Sequence, residues 1–263
     1  MWMDDDPFEL YVSLEGHVAL LEIDRPPNNH ITLPLVVALA EALERLDQQP
    51  ECRAIVLAAR GRHFCAGADL VNRAPGSSVP RDAKTGRTLY TEAARLLRTR
   101  KPIVAAVHGA AIGAGLGLAV VADFRITCAE ARFSANFTRL GFHPGFGLTE
   151  TLPRLIGKQQ ATMLFYTGRR IPGDEAVQIG LADRLVPQGE VRAAALALAA
   201  EIAESAPLAV MGVRETMRRG LAEAYERASE REFTEQAWQR QTADYQEGVA
   251  AMKDRRPAKF SGA

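Results

Sequence analysis

A chain of 263 residues, 47% hydrophobic and 24% charged, is long enough to bury one large core, or a core with an appendage. Its 32 Lys and Arg balance 32 Asp and Glu. No net basic field marks it for nucleic acid, and pairs such as Arg218-Arg219 or Arg255-Arg256 read as solvated faces. Cys52, Cys65 and Cys128 are odd in number and widely spaced, which argues against a disulfide framework or a zinc site.

The opening MWMDDDPFEL is acidic and lacks the basic-then-apolar layout of a secretory signal. The apolar stretch from Val104 to Ala122 is broken by glycines and His108 and then meets Asp123, a poor membrane span. These features predict a reduced, cytoplasmic protein with no metal site and neither nucleic acid nor membrane as partner.

In chain order, ELYVSLEGHVALLEID holds two alternating runs joined at Glu15-Gly16, the pattern of a β-hairpin. RPPNN breaks it. Thr32-Leu33-Pro34 then opens an amphipathic helix with Leu35, Leu39, Leu43 and Leu46 at helical spacing. RAIVLAAR is a short apolar strand that runs into the loop GRHFCAGADL, and a helix is predicted near Thr88 to Arg98. KPIVAAVHG is the next buried strand, AAIGAGLGLAVVAD reads as a glycine-rich turn into a helix, FRITCAE as a strand, and LPRLIGKQQATMLFYTG as a helix. From Pro207 the pattern is almost continuously helical as far as Pro257. Strand–helix alternation over the first two hundred residues argues an α/β fold with a helical tail.

Two small-residue loops carry the chemistry. Phe64-Cys65-Ala66-Gly67-Ala68-Asp69-Leu70 follows a strand, and its lack of bulk lets a ligand approach the main chain and the Ala68 N–H. His108-Gly109-Ala110-Ala111-Ile112-Gly113-Ala114-Gly115 enters a helix, whose unsatisfied N–H groups and positive dipole end suit a developing negative charge. Two such donors on one carbonyl oxygen form an oxyanion hole, where each donor contributes about 2.7–4 kcal/mol of barrier lowering. Glycines at 109, 113, 115 and 117 do not make the GxGxxG of a dinucleotide site.

These loops, together with LTETLPRLIG, GRRIPGDEAVQIGLADRLVP and the ending YQEGVAAMKDRRPAKF, resemble the enoyl-CoA hydratase/isomerase (crotonase) superfamily over nearly the whole chain. The resemblance implies a crotonase-type ββα spiral in residues 1–205 and a C-terminal helical trimerisation region in residues 206–263, in a trimer or a dimer of trimers. It implies an acyl-CoA thioester as partner, with coenzyme A present as part of the substrate and no covalently bound cofactor. The Ala68 and Ala114 N–H groups become the oxyanion donors, with Gly67, Asp69, Leu70 and Gly113 beside the substrate. Arg25 and Arg255 become contacts to CoA phosphates.

The resemblance also exposes a departure. The two positions that carry glutamates in typical hydratases fall on Gly117 and Phe137, and the position used by dienoyl-CoA isomerases falls on Gly145. None of these residues accepts a proton. A missing general acid or base forfeits roughly 10²–10⁴ in rate, so ordinary hydration is expected to be weak or absent. His143 is the leading replacement base, since an imidazole with an ordinary pKa of roughly 6.5 suits proton transfer near neutrality. Glu150 is the second candidate. His63 flanks the first loop, while Asp69 and Asp123 are expected to hold backbone. Cys65 has no readable partner base. Phe137 makes the pocket apolar and favours an acyl chain or aromatic ring over water. Two alternatives stay open: a catalytically silent acyl-CoA binder, and a C–C bond (diketone) hydrolase of the same fold that works without CoA through His143 and Glu150.

Overall fold

A computed structural model describes residues 10–70 and 86–263 of the chain. The predicted hairpin is β1 (Leu10–Glu15) and β2 (Val18–Ile23), paired antiparallel in register from Leu10↔Ile23 to Glu15↔Val18. Gly16 makes the turn at a φ of +55°, where a side chain would be strained. α1 (Leu33–Asp47) begins where expected: the Thr32 side chain accepts from the Leu35 N–H, and Leu35, Leu39, Leu43 and Leu46 are all buried.

β3 (Ala54–Ala59) and β4 (Ile103–Val107) are buried at every residue. That is the pattern of central parallel strands covered on both faces. α2 (Leu89–Leu97) lies between them in sequence and is capped by Thr88 in a reciprocal pair with Thr91. The segment after β4 is not all turn, as the sequence suggested: Ala110–Ile112 forms β5 and then α3 (Ala114–Val121) starts. β6 (Phe124–Thr127) and β7 (Arg132–Ser134) follow, then a 3₁₀ turn over Asn136–Leu140. α4 (Leu148–Thr167) bends at Gly157, so the predicted single helix is two pieces at an angle. β8 (Ile171–Pro172), α5 (Gly173–Gln178), β9 (Arg184–Leu185) and α6 (Val191–Ala203) complete the alternating part. The tail is α7 (Pro207–Met217), α8 (Leu221–Gln239) and α9 (Ala243–Asp254).

The strands form two sheets. One has the order β1-β2-β3-β4-β6-β9 and is parallel beyond the hairpin; the other has the order β5-β7-β8. Consecutive strands β4 and β5 therefore belong to different sheets, which is how the chain winds from one layer to the next. α6 packs across β3, β4 and β6, while α8 packs on α2 and α4.

Two carboxylates, Glu232 buried and Asp123 half-buried, tie the tail to the core. Asp123 accepts from the Ile103 N–H at 2.8 Å, from Arg214 Nε at 2.9 Å and from Arg218 at 2.8 Å, which fixes α7 to the sheet. Asp123 thus holds backbone, as expected. Glu232 of α8 accepts from the N–H groups of Gly147 and Thr149 and from the Thr149 hydroxyl, satisfying donors at the start of α4. No single helix among the described residues is long and apolar enough to cross a membrane.

Candidate active site

The first loop is stitched to β5 by two backbone bonds, Cys65 N–H to Ala110 O at 2.9 Å and Ile112 N–H to Cys65 O at 3.1 Å. Gly67 then turns with φ +83°, and a Cβ there would meet Ile112 O at 2.5 Å. Only glycine lets the two loops approach so closely. Its carbonyl is held from behind by the Ile31 N–H and His30 Nδ1, both at 3.0 Å. A carbonyl only accepts, so His30 Nδ1 donates.

Ala68 comes next, exposed, and its N–H enters no backbone hydrogen bond among the described residues. Facing it, Gly113 caps α3 with φ 57° and no side-chain cap. Ala114 is the first helical residue, so its N–H has no intrahelical acceptor. The Ala114 nitrogen lies 3.7 Å from the point a Cβ on Gly67 would reach. Two uncommitted donors thus stand on adjoining turns at the end of a helix dipole.

They open onto a cavity of about 740 Å³ lined by Gly67, Ala68, Leu70, Gly113 and Ala114, among others. Its two ends differ. Near the start of β5 and β7 it is polar, with Arg62, His63, Glu130 and Arg132. Burial, then the charge of Arg62, holds the His63 imidazole below its usual pKa, which favours its neutral form. At the other end it is aromatic: Phe137 packs edge-on to Phe142 at 5.6 Å, with Tyr90 and Leu140 beside them. An elongated ligand with a polar head and an apolar tail fits that gradient.

The chain matches the Enoyl-CoA hydratase/isomerase family over residues 13–263. A putative enoyl-CoA hydratase of Thermus thermophilus is 32% identical over 253 residues, covering 94% of this chain and 98% of that protein. The crystal structure of an enoyl-CoA hydratase/isomerase from Pseudoalteromonas atlantica superposes with a TM-score of 0.86 at 31% identity, over 96% of this chain and all of the other. That of a carnitinyl-CoA hydratase from Mycobacterium avium does so at 0.86 and 30%, over 98% of this chain and all of the other. The chain belongs to the enoyl-CoA hydratase/isomerase family. Its sheets and helices are therefore the crotonase fold.

Within this family member, the positions where the sequence resemblance led one to look for acids are filled by other groups. Gly117 faces the ring of Phe146, which is fully buried. Phe137 is itself cavity wall, 5% exposed. Gly145 abuts the Tyr90 hydroxyl and the Gln236 side-chain amide. Among the described lining residues Glu130 is the one carboxylate, and it sits at the polar end.

The structure does not bring the two expected proton-transfer groups to this wall. His143 is absent from the cavity lining; its Nδ1 donates to the Pro144 carbonyl at 2.8 Å, and its backbone bonds the side chains of Gln239 and Gln236. Glu150 points along α4 and pairs with Arg154. Neither placement supports the role assigned from sequence. Arg25 also lies off the cavity, its guanidinium bonding His30 O at 2.5 Å and Thr32. Arg255 is exposed at the end of α9, and Asp69 is half-buried; neither lines the cavity. Cys65 is fully buried and burial pushes its thiol up to about 11, which makes it inert.

Sequence reasoning missed Tyr90, Gln236 and Arg240. The Tyr90 hydroxyl donates to Gln236 Oε1 at 3.0 Å, across 146 residues of chain. Tyr90 and Arg240 line the cavity. The amphipathic signal of their helices was readable, but which face meets the cavity was not.

Proposed function

We propose that the chain binds an acyl-CoA thioester, with coenzyme A as part of the substrate, and stabilises its enolate between the Ala68 and Ala114 N–H groups. Hydration of enoyl thioesters is weak or absent. The observation that carries this reading is the pair of uncommitted donors on turns held together by Gly67. Loss of the proton next to a thioester carbonyl moves charge onto that oxygen, and fixed donors in a partly dry site favour the charged form.

Beside Phe137 and Phe142 the ionisable groups of the cavity wall are the Tyr90 phenol and the Arg240 guanidinium. The guanidinium does not deprotonate in proteins. Proton transfer therefore falls to Tyr90, an unusual acid/base group for such a site. The filled positions at Gly117, Phe137 and Gly145 favour one rival, a silent binder that grips the thioester without turnover. Residues 206–263 would pack in a homo-oligomer, a trimer or a dimer of trimers. The exposed Leu208, Val213 and Met217 of α7 suit that role.

Solvent deuterium exchange at the carbon next to the thioester separates these readings. Exchange is expected in the wild type and lost in Tyr90→Phe. Ala114→Pro deletes one donor at the first helical position, where proline is tolerated, and is expected to slow exchange roughly 10²–10³-fold. Thioester binding without any exchange would leave the silent binder. Calorimetry that finds no affinity for CoA or any acyl-CoA would leave the diketone hydrolase.

A further inference from the structure

Arg240 stands at the C-terminal cap of α8 and lines the cavity at its aromatic end. Its guanidinium lies over the Phe142 ring, 5.2 Å from the centroid. One terminal nitrogen donates to Gln236 Oε1 at 2.8 Å, while Nε is buried without a hydrogen-bond partner among the described residues. Among the described residues no carboxylate pairs with it, whereas its neighbour along the helix Arg231 pairs with Glu235, and Arg256 with Glu247.

The neighbours cannot supply the missing charge. Gln236 is buried, and its Nε2 donates to the His143 carbonyl at 2.9 Å, so its oxygen is left facing Tyr90 and Arg240. That oxygen is neutral and engages one of five N–H donors. Phe137, Leu140 and Phe142 line the cavity beside it. A methyl-ended acyl tail entering here would strip water from a cation and return nothing. A carboxylate would take two parallel N–H donors and neutralise the charge.

We propose that Arg240 makes this end of the cavity a receptor for a carboxylate, so that the preferred thioester carries an acyl group terminating in one. This rests on the acyl-CoA reading above. The test is calorimetric titration of the full chain with glutaryl-CoA and adipyl-CoA against valeryl-CoA and hexanoyl-CoA, with CoA alone as reference. The carboxylate-ended thioesters are expected to bind roughly 10- to 100-fold more tightly. Arg240→Met is expected to bring that ratio toward parity, and Arg240→Lys to keep part of it. Equal affinity in the wild type, or tighter binding of the methyl-ended thioesters, overturns the carboxylate proposal and leaves the acyl-CoA reading standing. A preference that survives Arg240→Met overturns the assignment to Arg240. Failure of CoA and every thioester to bind removes the acyl-CoA reading, and the proposal with it.

Discussion

The ring of Phe146 occupies the volume that a side chain on Gly117 would need: a Cβ there would meet Phe146 Cδ1 at 2.5 Å and Phe146 Cβ at 2.9 Å. Phe146 is itself fixed, edge-on to Tyr90 at 6.5 Å and to Tyr225 at 6.3 Å. The missing glutamate is therefore not a vacancy to be refilled. Gly117→Glu is expected to overpack this aromatic cluster and lower stability by about 1–3 kcal/mol, with crotonyl-CoA hydration still at background. Denaturant midpoints and a hydration assay check both halves. A stable variant that hydrates would show that the ring yields.

Gly67 governs whether the two donors meet. Gly67→Ala puts a methyl against Ile112 O in a backbone region that disfavours side chains. The expected cost is about 1–3 kcal/mol of stability, together with loss of α-proton exchange as the first loop moves. Gly212→Ala on α7 is the control, since nothing lies within 4 Å of the added group. It should leave exchange unchanged.

Glu232 makes stability depend on pH. Burial raises its carboxyl from 4.5 to about 7, despite three hydrogen bonds that favour the charged form. A carboxyl whose folded pKa is raised lets the native state hold its proton longer than the unfolded chain does. Its contribution is then full below the unfolded pKa and lost as pH rises toward 7. Glu232→Gln removes the titrating group. The wild type should therefore lose stability relative to this variant between about pH 4.5 and 7, at up to about 1.4 kcal/mol per unit, and level off above that. A pH-independent difference between the two would remove the assignment.

Asp123 carries the opposite sign. Burial works against its charge, but Arg214 and Arg218 beside it outweigh that and hold its carboxyl below the usual range. That stabilisation is present above the ordinary value near 3.8 and is lost as pH falls through the folded pKa. Asp123→Asn leaves two guanidinium groups without their counter-ion and is expected to cost about 3–5 kcal/mol at neutral pH. Urea melts should show the gap to the wild type closing in acid.

Local chemistry made much of the fold legible. The Glu15-Gly16 turn, the Thr32 cap and the fully apolar run at 54–59 each follow from neighbours in sequence. The two small-residue loops were also readable, because close approach of backbones demands glycine at a given place. What stayed hidden depends on long-range packing. Nothing near Phe146 says that it lies against Gly117, and nothing near Tyr90 says that Gln236 will accept its proton. His143 looked attractive because imidazole chemistry is local, whereas its distance from the cavity wall is not. Ala110–Ile112 reads as a turn in isolation and becomes a strand because Arg132–Ser134 runs along one side of it and Cys65 bonds it on the other.

The aromatic end of the cavity draws Phe137 and Phe142 from the winding part of the chain, but Arg240 from the cap of α8, in the tail, where Gln236 holds it from behind. On the readings proposed above, acyl selectivity and thioester polarisation would be encoded by separate stretches of the chain. Exchange of the α8 segment between relatives would then retune which acids are accepted while leaving the oxygen-gripping apparatus untouched, a division of labour that lets specificity drift without endangering the chemistry.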